Sequence, residues 1–163
     1  MIVQTRKKEL KKKVAKVAAD PIRKLKIWIL FPYLESEDPN LQYYYDFTQS
    51  LAEYKKIFDE LGADWTWQPV TMKNFKEVIA SIKKKSGRKI PLVLNLCDGD
   101  EVNGTPGVSV IHELEKSRLI YTGSDHHYYN ITTSKIPMKR AFDKAGVSTA
   151  KWDIIDGSED SVK

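Results

Sequence analysis

Short runs of β-forming residues alternate with amphipathic helical stretches along most of this chain, with no strong hairpin signal between them. Strands separated by helices return in parallel. The alternation therefore predicts an α/β domain of the Rossmann-like kind, an open, mostly parallel sheet with helices on both faces. Lys26-Ile27-Trp28-Ile29-Leu30-Phe31, stopped by Pro32, reads as a buried first strand. Asp38-Pro39-Asn40 gives a helix-start signature. Phe47, Leu51, Tyr54, Phe58 and Leu61 then repeat at helical spacing, and Gly62 offers a left-handed cap. Trp65 to Val70 reads as a second strand. Thr71 is placed to cap a helix carrying Phe75, Val78, Ile79 and Ile82, which ends in Lys83-Lys84-Lys85 where cations suit the helix dipole. Ile90 to Leu96 is a near-continuous apolar run, as in a strand covered on both faces. A polar loop, a helix over Val108 to Lys116, a strand at Leu119 to Tyr121 and a helix from about Ser134 to Ala145 follow. The last extended piece spans Ala150 to Ile155.

Charge divides the chain unevenly. Residues 1–26 hold ten lysines and arginines against two acids, a balance of +8, and residues 27–163 hold the remaining −3 of the total +5. The basic character thus belongs to an arm, residues 1–25, where Leu10, Val14 and Val17 recur at helical spacing. Such an arm attracts phosphate, nucleic acid, anionic lipid or an acidic partner, and it also serves as a plainly solvated helix. Its preference for lysine over arginine argues against a mitochondrial presequence. Residues 26–155 form the predicted domain and 156–163 an acidic tail or linker. With one cysteine, Cys97, no intramolecular disulfide or Cys-rich zinc site forms. Apolar runs such as Ile27–Phe31 fall far short of the ~20 residues of a membrane span, and no secretory signal precedes them. The expectation is a soluble, cytoplasmic protein.

Several residue groups resemble chemical motifs without their spacing. His112-Glu113 lacks the second metalloprotease histidine, because position 116 is Lys. His126-His127 are adjacent and point apart on any regular element. Asp98, Asp100 and Asn103-Gly104 suggest a calcium loop, but position 102 is Val, the glycine comes one residue late, and position 109 is Ser where a bidentate acid belongs. No Walker lysine motif and no Gly-x-Gly-x-x-Gly is present. Cys97 at a strand end has no adjacent basic group to activate it as a nucleophile and reads as structural.

A longer pattern remains. The chain reads Asn-Leu-Cys-Asp-Gly-Asp-Glu-Val-Asn-Gly-Thr-Pro-Gly at 95–107, Tyr121-Thr122-Gly123-Ser124, Thr133-Ser134-Lys135, and Ala145-Gly146-Val147-Ser148. In this order and near this spacing it resembles the N-terminal, pre-ATP-grasp domain of D-alanine–D-alanine ligase and related ATP-grasp carboxylate–amine ligases. Asn103-Gly104-Thr105, Tyr121–Ser124 and Lys135 carry the match, and a weaker likeness reaches back to Lys26.

The resemblance implies an ATP-dependent ligase, with Mg2+ as cofactor, in which a carboxylate is phosphorylated to an acyl phosphate and an amine attacks it. It places Lys135 on the nucleotide phosphates. It places Glu37, or the neighbouring Glu35, on the ammonium of a small amino-acid or carboxylate substrate. Cys97-Asp98 stand where the family has a His-Gly pair facing the substrate, and Gly123 turns the chain at a strand end. No residue of this chain is assigned a catalytic or metal-ligating role. The loop Pro32–Ser36 lacks the ligases' Gly-Gly and Ser, and Ser134 replaces an Asp, so a substrate other than D-alanine is expected. The adenine pocket and the metal carboxylates lie, in that family, on a C-terminal ATP-grasp domain, which this chain is expected to need as a partner. ATP is therefore expected to bind the chain alone only weakly. A homodimer is left open. The alternatives are a non-catalytic, flavodoxin-like interaction module whose basic arm binds nucleic acid or acidic partners, and a nucleotide-independent small-molecule binding domain.

Overall fold

The computed structural model describes residues 21–34 and 46–154. Residues 1–20 of the basic arm, Glu35, Glu37, the Asp38-Pro39-Asn40 signature and the tail lie outside the described residues. The chain divides after Gly123 into two compact units.

The first unit is built on a four-stranded sheet of order β2-β1-β3-β4, parallel throughout. The strands are β1 (Leu25–Pro32), β2 (Asp64–Val70), β3 (Ile90–Asn95) and β4 (Ile120–Tyr121). Helices α1 (Thr48–Leu61), α2 (Phe75–Lys85) and α3 (Val108–Lys116) connect them. The fold is an open Rossmann-like α/β sheet, as the alternation of elements predicts.

Alternation along β1 sorts the core into two faces. Trp28 and Leu30 pack with Val70, Phe75, Ile79, Ile82, Val93, Val110 and Leu114 in one cluster that joins β1, α2 and α3. The intervening Ile27 and Ile29 are buried on the opposite face. On that side α1 meets β2 through rings: Phe58 lies 5.7 Å from Trp65, and Tyr54 lies 5.8 Å from Trp67. α1 has no buried residue, although its apolar spacing is regular.

Local chemistry explains most element ends. Gly62 closes α1 at φ 62°, a left-handed conformation that an L side chain resists. At α2 Thr71 caps as its sequence position predicts: its Oγ1 accepts from the Asn74 amide, Asn74 Oδ1 accepts back from the Thr71 amide, and the Phe75 amide bonds Thr71 O at 3.1 Å. The buried Trp28 indole N–H donates to Ser86 Oγ at 2.9 Å, which donates onward to Ile82 O at 2.7 Å, so the end of α2 satisfies a core donor. At the amino end of the sheet Lys26 faces Asp64 in register and bonds it at 2.6 Å, and Lys89 takes the other carboxylate oxygen at 2.8 Å.

The second unit holds α4 (His126–Thr132) and α5 (Lys135–Lys144), neither with a buried residue. The sequence pattern does not predict α4. Residues 150–154 form no strand, in contrast to the extended piece expected there. Among the described residues no helix is long and apolar enough to cross a membrane.

Candidate functional site

In an open parallel sheet the ligand crevice lies beyond the carboxyl ends of the strands, where the strand order reverses. Here β1 connects to β2 on one side, while β3 and β4 lie on the other. The reversal therefore falls between β1 and β3. Asn95, Leu96, Cys97 and Asp98 leave β3 at this point.

The loop that follows is tied down by its own atoms. Gly99 forms a bridge with Gly107, and its amide donates to Pro106 O at 2.9 Å. A Cβ on Gly99 would stand 2.4 Å from the Thr105 carbonyl oxygen, so only glycine fits against the buried Thr105. Asp100 accepts from both the amide and the side chain of Asn103, which fixes the turn. Glu101 adopts φ 63° and reaches forward to α3. Its Oε1 accepts from the amides of Gly107 and Ser109 at 3.2 and 2.6 Å, and its Oε2 accepts from Ser109 Oγ at 2.8 Å. The amides at the start of α3, a natural anion site, are thus already occupied by a carboxylate of the same chain. An anionic ligand there would have to displace it. Sequence reading misses this residue because its partners lie six and eight positions away.

Two cavities open at the same edge. One, of about 310 Å3, is lined by Phe31, Tyr33, Phe47, Thr48, Leu51, Trp67 and Pro69. The other, of about 400 Å3, is lined by Phe47, Ser50, Tyr54, Asn95, Leu96 and Asp98. Phe47 belongs to both. The ring walls are fixed by one another: Phe31 stacks on Trp67 at 4.6 Å, and Phe47 tilts against Phe31 at 5.5 Å. The aromatic cavity has no signature in the sequence beyond helical spacing, since half-buried and fully buried apolar residues share the same periodicity.

The residues singled out from the sequence separate accordingly. Asp98 is exposed and lines the second cavity. Cys97 is a core residue, 2% exposed, whose Sγ–H points to Leu30 O at 3.8 Å. Burial pushes its thiol up to about 12, and the neighbouring Asp98 carboxylate adds to the effect. Its side chain therefore serves the core, and the Cys97-Asp98 pair meets the crevice through Asp98. Gly123 takes φ 108° two residues past the end of β4, with open space where a Cβ would lie. The Thr122 amide before it donates to Val93 O, and Thr122 Oγ1 accepts from the Asn95 amide, which joins the ends of β3 and β4. Lys135 is exposed on the first turn of α5 in the second unit. Glu35 and Glu37 lie outside the described residues. No protein family, no curated protein and no solved structure matches the chain.

Proposed function

We propose that this chain is the N-terminal substrate-binding domain of an ATP-dependent carboxylate–amine ligase, similar to D-alanine–D-alanine ligase, with acyl-phosphate chemistry completed on an ATP-grasp domain. The observation that supports the reading is the meeting of two sequence segments at one place. The loop ending Asn103-Gly104-Thr105 leaves β3, the Tyr121–Ser124 segment leaves β4, and Thr122 joins both strand ends beside the reversal point. Asp98 supplies a carboxylate to the crevice, suited to a substrate ammonium. In the complete enzyme Lys135 steadies phosphate charge, Glu37 or Glu35 holds the first substrate, and ATP with Mg2+ is held largely by the ATP-grasp domain. The cytoplasm is the compartment proposed for this chemistry.

The occupied α3 amides agree with weak nucleotide binding by the chain itself. Calorimetry on the 163 residues should find ATP affinity worse than about 1 mM, or ~−4 kcal/mol. Joined to an ATP-grasp domain, the protein should form ADP only when an amino acid is supplied. Lys135→Ala should then weaken nucleotide affinity and turnover together, by roughly 10- to 150-fold for a lost charged hydrogen bond. Glu37→Gln should act on the amino substrate and leave ATP affinity unchanged. Micromolar ATP binding by the chain alone, or a Lys135→Ala effect confined to melting temperature, overturns the reading.

The second reading, a flavodoxin-like interaction module, draws on the strand order 2-1-3-4. It requires that no amino acid or carboxylate bind at the carboxyl edge and that removing residues 1–20, which leaves β1 whole, abolish binding to nucleic acid or an acidic partner.

A further inference from the structure

We infer that the paired cavities at the carboxyl edge accept an amine that carries a bulky aromatic or branched apolar group, such as an aromatic amino acid, with the group in the aromatic cavity and the ammonium beside Asp98. The inference rests on the ligase reading and specifies its substrate class.

Its first support is the contrast between the two linings. Around the smaller cavity Phe31, Phe47, Leu51, Trp67 and Pro69 present carbon, Tyr33 and Thr48 add only hydroxyls, and no charged group is among the described residues that line it. The larger one adds Ser50, Asn95 and the carboxylate of Asp98. No lysine or arginine among the described residues pairs with Asp98. Phe47 walls both spaces, so one molecule can lie across it, apolar at one end and cationic at the other.

Size supplies the second support. An apolar cavity of about 150 Å3 already holds benzene. The aromatic cavity, at about 310 Å3, has room for a phenyl or indole group, whereas a methyl group would leave most of it unfilled. Its walls are preorganised by ring contacts, which lowers the ordering cost of binding.

The decisive experiment is calorimetric titration of the whole chain with phenylalanine, phenethylamine, 3-phenylpropionate and alanine. Phenylalanine and phenethylamine should bind at least about tenfold more tightly than alanine, from the apolar area buried. 3-Phenylpropionate, which lacks the amine, should bind more weakly than phenethylamine. Leu51→Trp, which fills the aromatic cavity from a half-buried position on α1, should reduce phenylalanine to the alanine level while the melting temperature shows the chain still folded. Asp98→Asn should weaken both amines by roughly tenfold or more. Equal affinity for alanine and phenylalanine overturns the inference, as does preference for phenylpropionate over phenethylamine or failure of every amine to bind. The ligase reading is judged separately, by amino-acid-dependent ADP formation: if alanine supports it and phenylalanine does not, the reading stands and the aromatic specificity falls.

Discussion

Glu101 holds Ser109 at both of its polar groups, Oε1 on the backbone amide at 2.6 Å and Oε2 on the hydroxyl at 2.8 Å. A residue in the loop thereby does the work of a cap for a helix whose flanking residue, Gly107, has no side chain. Glu101→Ala should cost about 1–2 kcal/mol, the range of a lost cap, in urea denaturation. Glu101 is also held at φ 63°. Glu101→Gly loses the same carboxylate but relieves the left-handed backbone, so it should cost less than the alanine variant. If both cost the same, the backbone conformation at 101 carries no strain.

Gly99 admits no side chain because the Thr105 backbone oxygen and side chain stand 2.4 to 2.6 Å from where a Cβ would lie. Backbone cannot swing aside as a flexible side chain does. Gly99→Ala should therefore destabilise by about 1–3 kcal/mol, the usual cost of overpacking. It should also spread the 98–107 loop, seen as faster amide exchange at Glu101, whose amide bonds Thr105 O at 3.1 Å. A thermally neutral Gly99→Ala would mean that the loop is held less closely than this.

Asp64 sits between Lys26 and Lys89 at the amino end of the sheet, and their hydrogen bonds hold its carboxyl below the ordinary 3.8. A carboxyl with a lowered folded value stabilises the protein above its unfolded value and loses that contribution as the pH falls through the folded one. The side chain is 40% exposed, so the pair is screened and worth about 0.2–1 kcal/mol. Asp64→Asn should show this loss at pH 7 and converge on the parent in acid, once the pH has fallen below 3.8 and through the lower folded value. High salt should narrow the gap at pH 7. A gap that persists in acid would assign the effect to packing.

Much of the fold is legible in the sequence because burial imposes pattern. β1 and β3 are read from near-continuous apolar runs, and α3 carries Val110, Ile111 and Leu114, all buried. Where burial is absent, so is the pattern. α4 has no buried residue, and its sequence signal is only Asp125, whose carboxylate accepts from the Tyr128 amide three positions on. At the site, Asp98 is legible from its place after a strand. The partnership of Glu101 with Ser109 is not, because it depends on how the 98–107 loop folds back on the start of α3, and neither is the division of space by Phe47, which depends on β1, β2 and α1 meeting. Cys97 shows the converse: its position at a strand end allowed a place facing the substrate, and only the packing around Leu30 turns it inward.

That inward turn sets a chemical test. The native thiol titrates at about 12 rather than 9.0, because burial disfavours the thiolate and the Asp98 charge opposes it. At pH 8 an ordinary thiol is ionised to about a tenth and the native Cys97 to about one part in ten thousand. An aromatic disulfide reagent should therefore label the folded chain at least about a thousandfold more slowly than the urea-unfolded chain. The linkage gives a second readout. A thiol whose folded value is raised stabilises the fold fully below 9.0 and loses that contribution as the pH rises from there toward 12. Cys97→Ala should cost stability at pH 7, through lost packing, yet fall less steeply than the parent on the alkaline side. Rapid stoichiometric labelling of the folded protein would place the thiol at the surface of the crevice and return Cys97, with Asp98, to the residues that face the substrate.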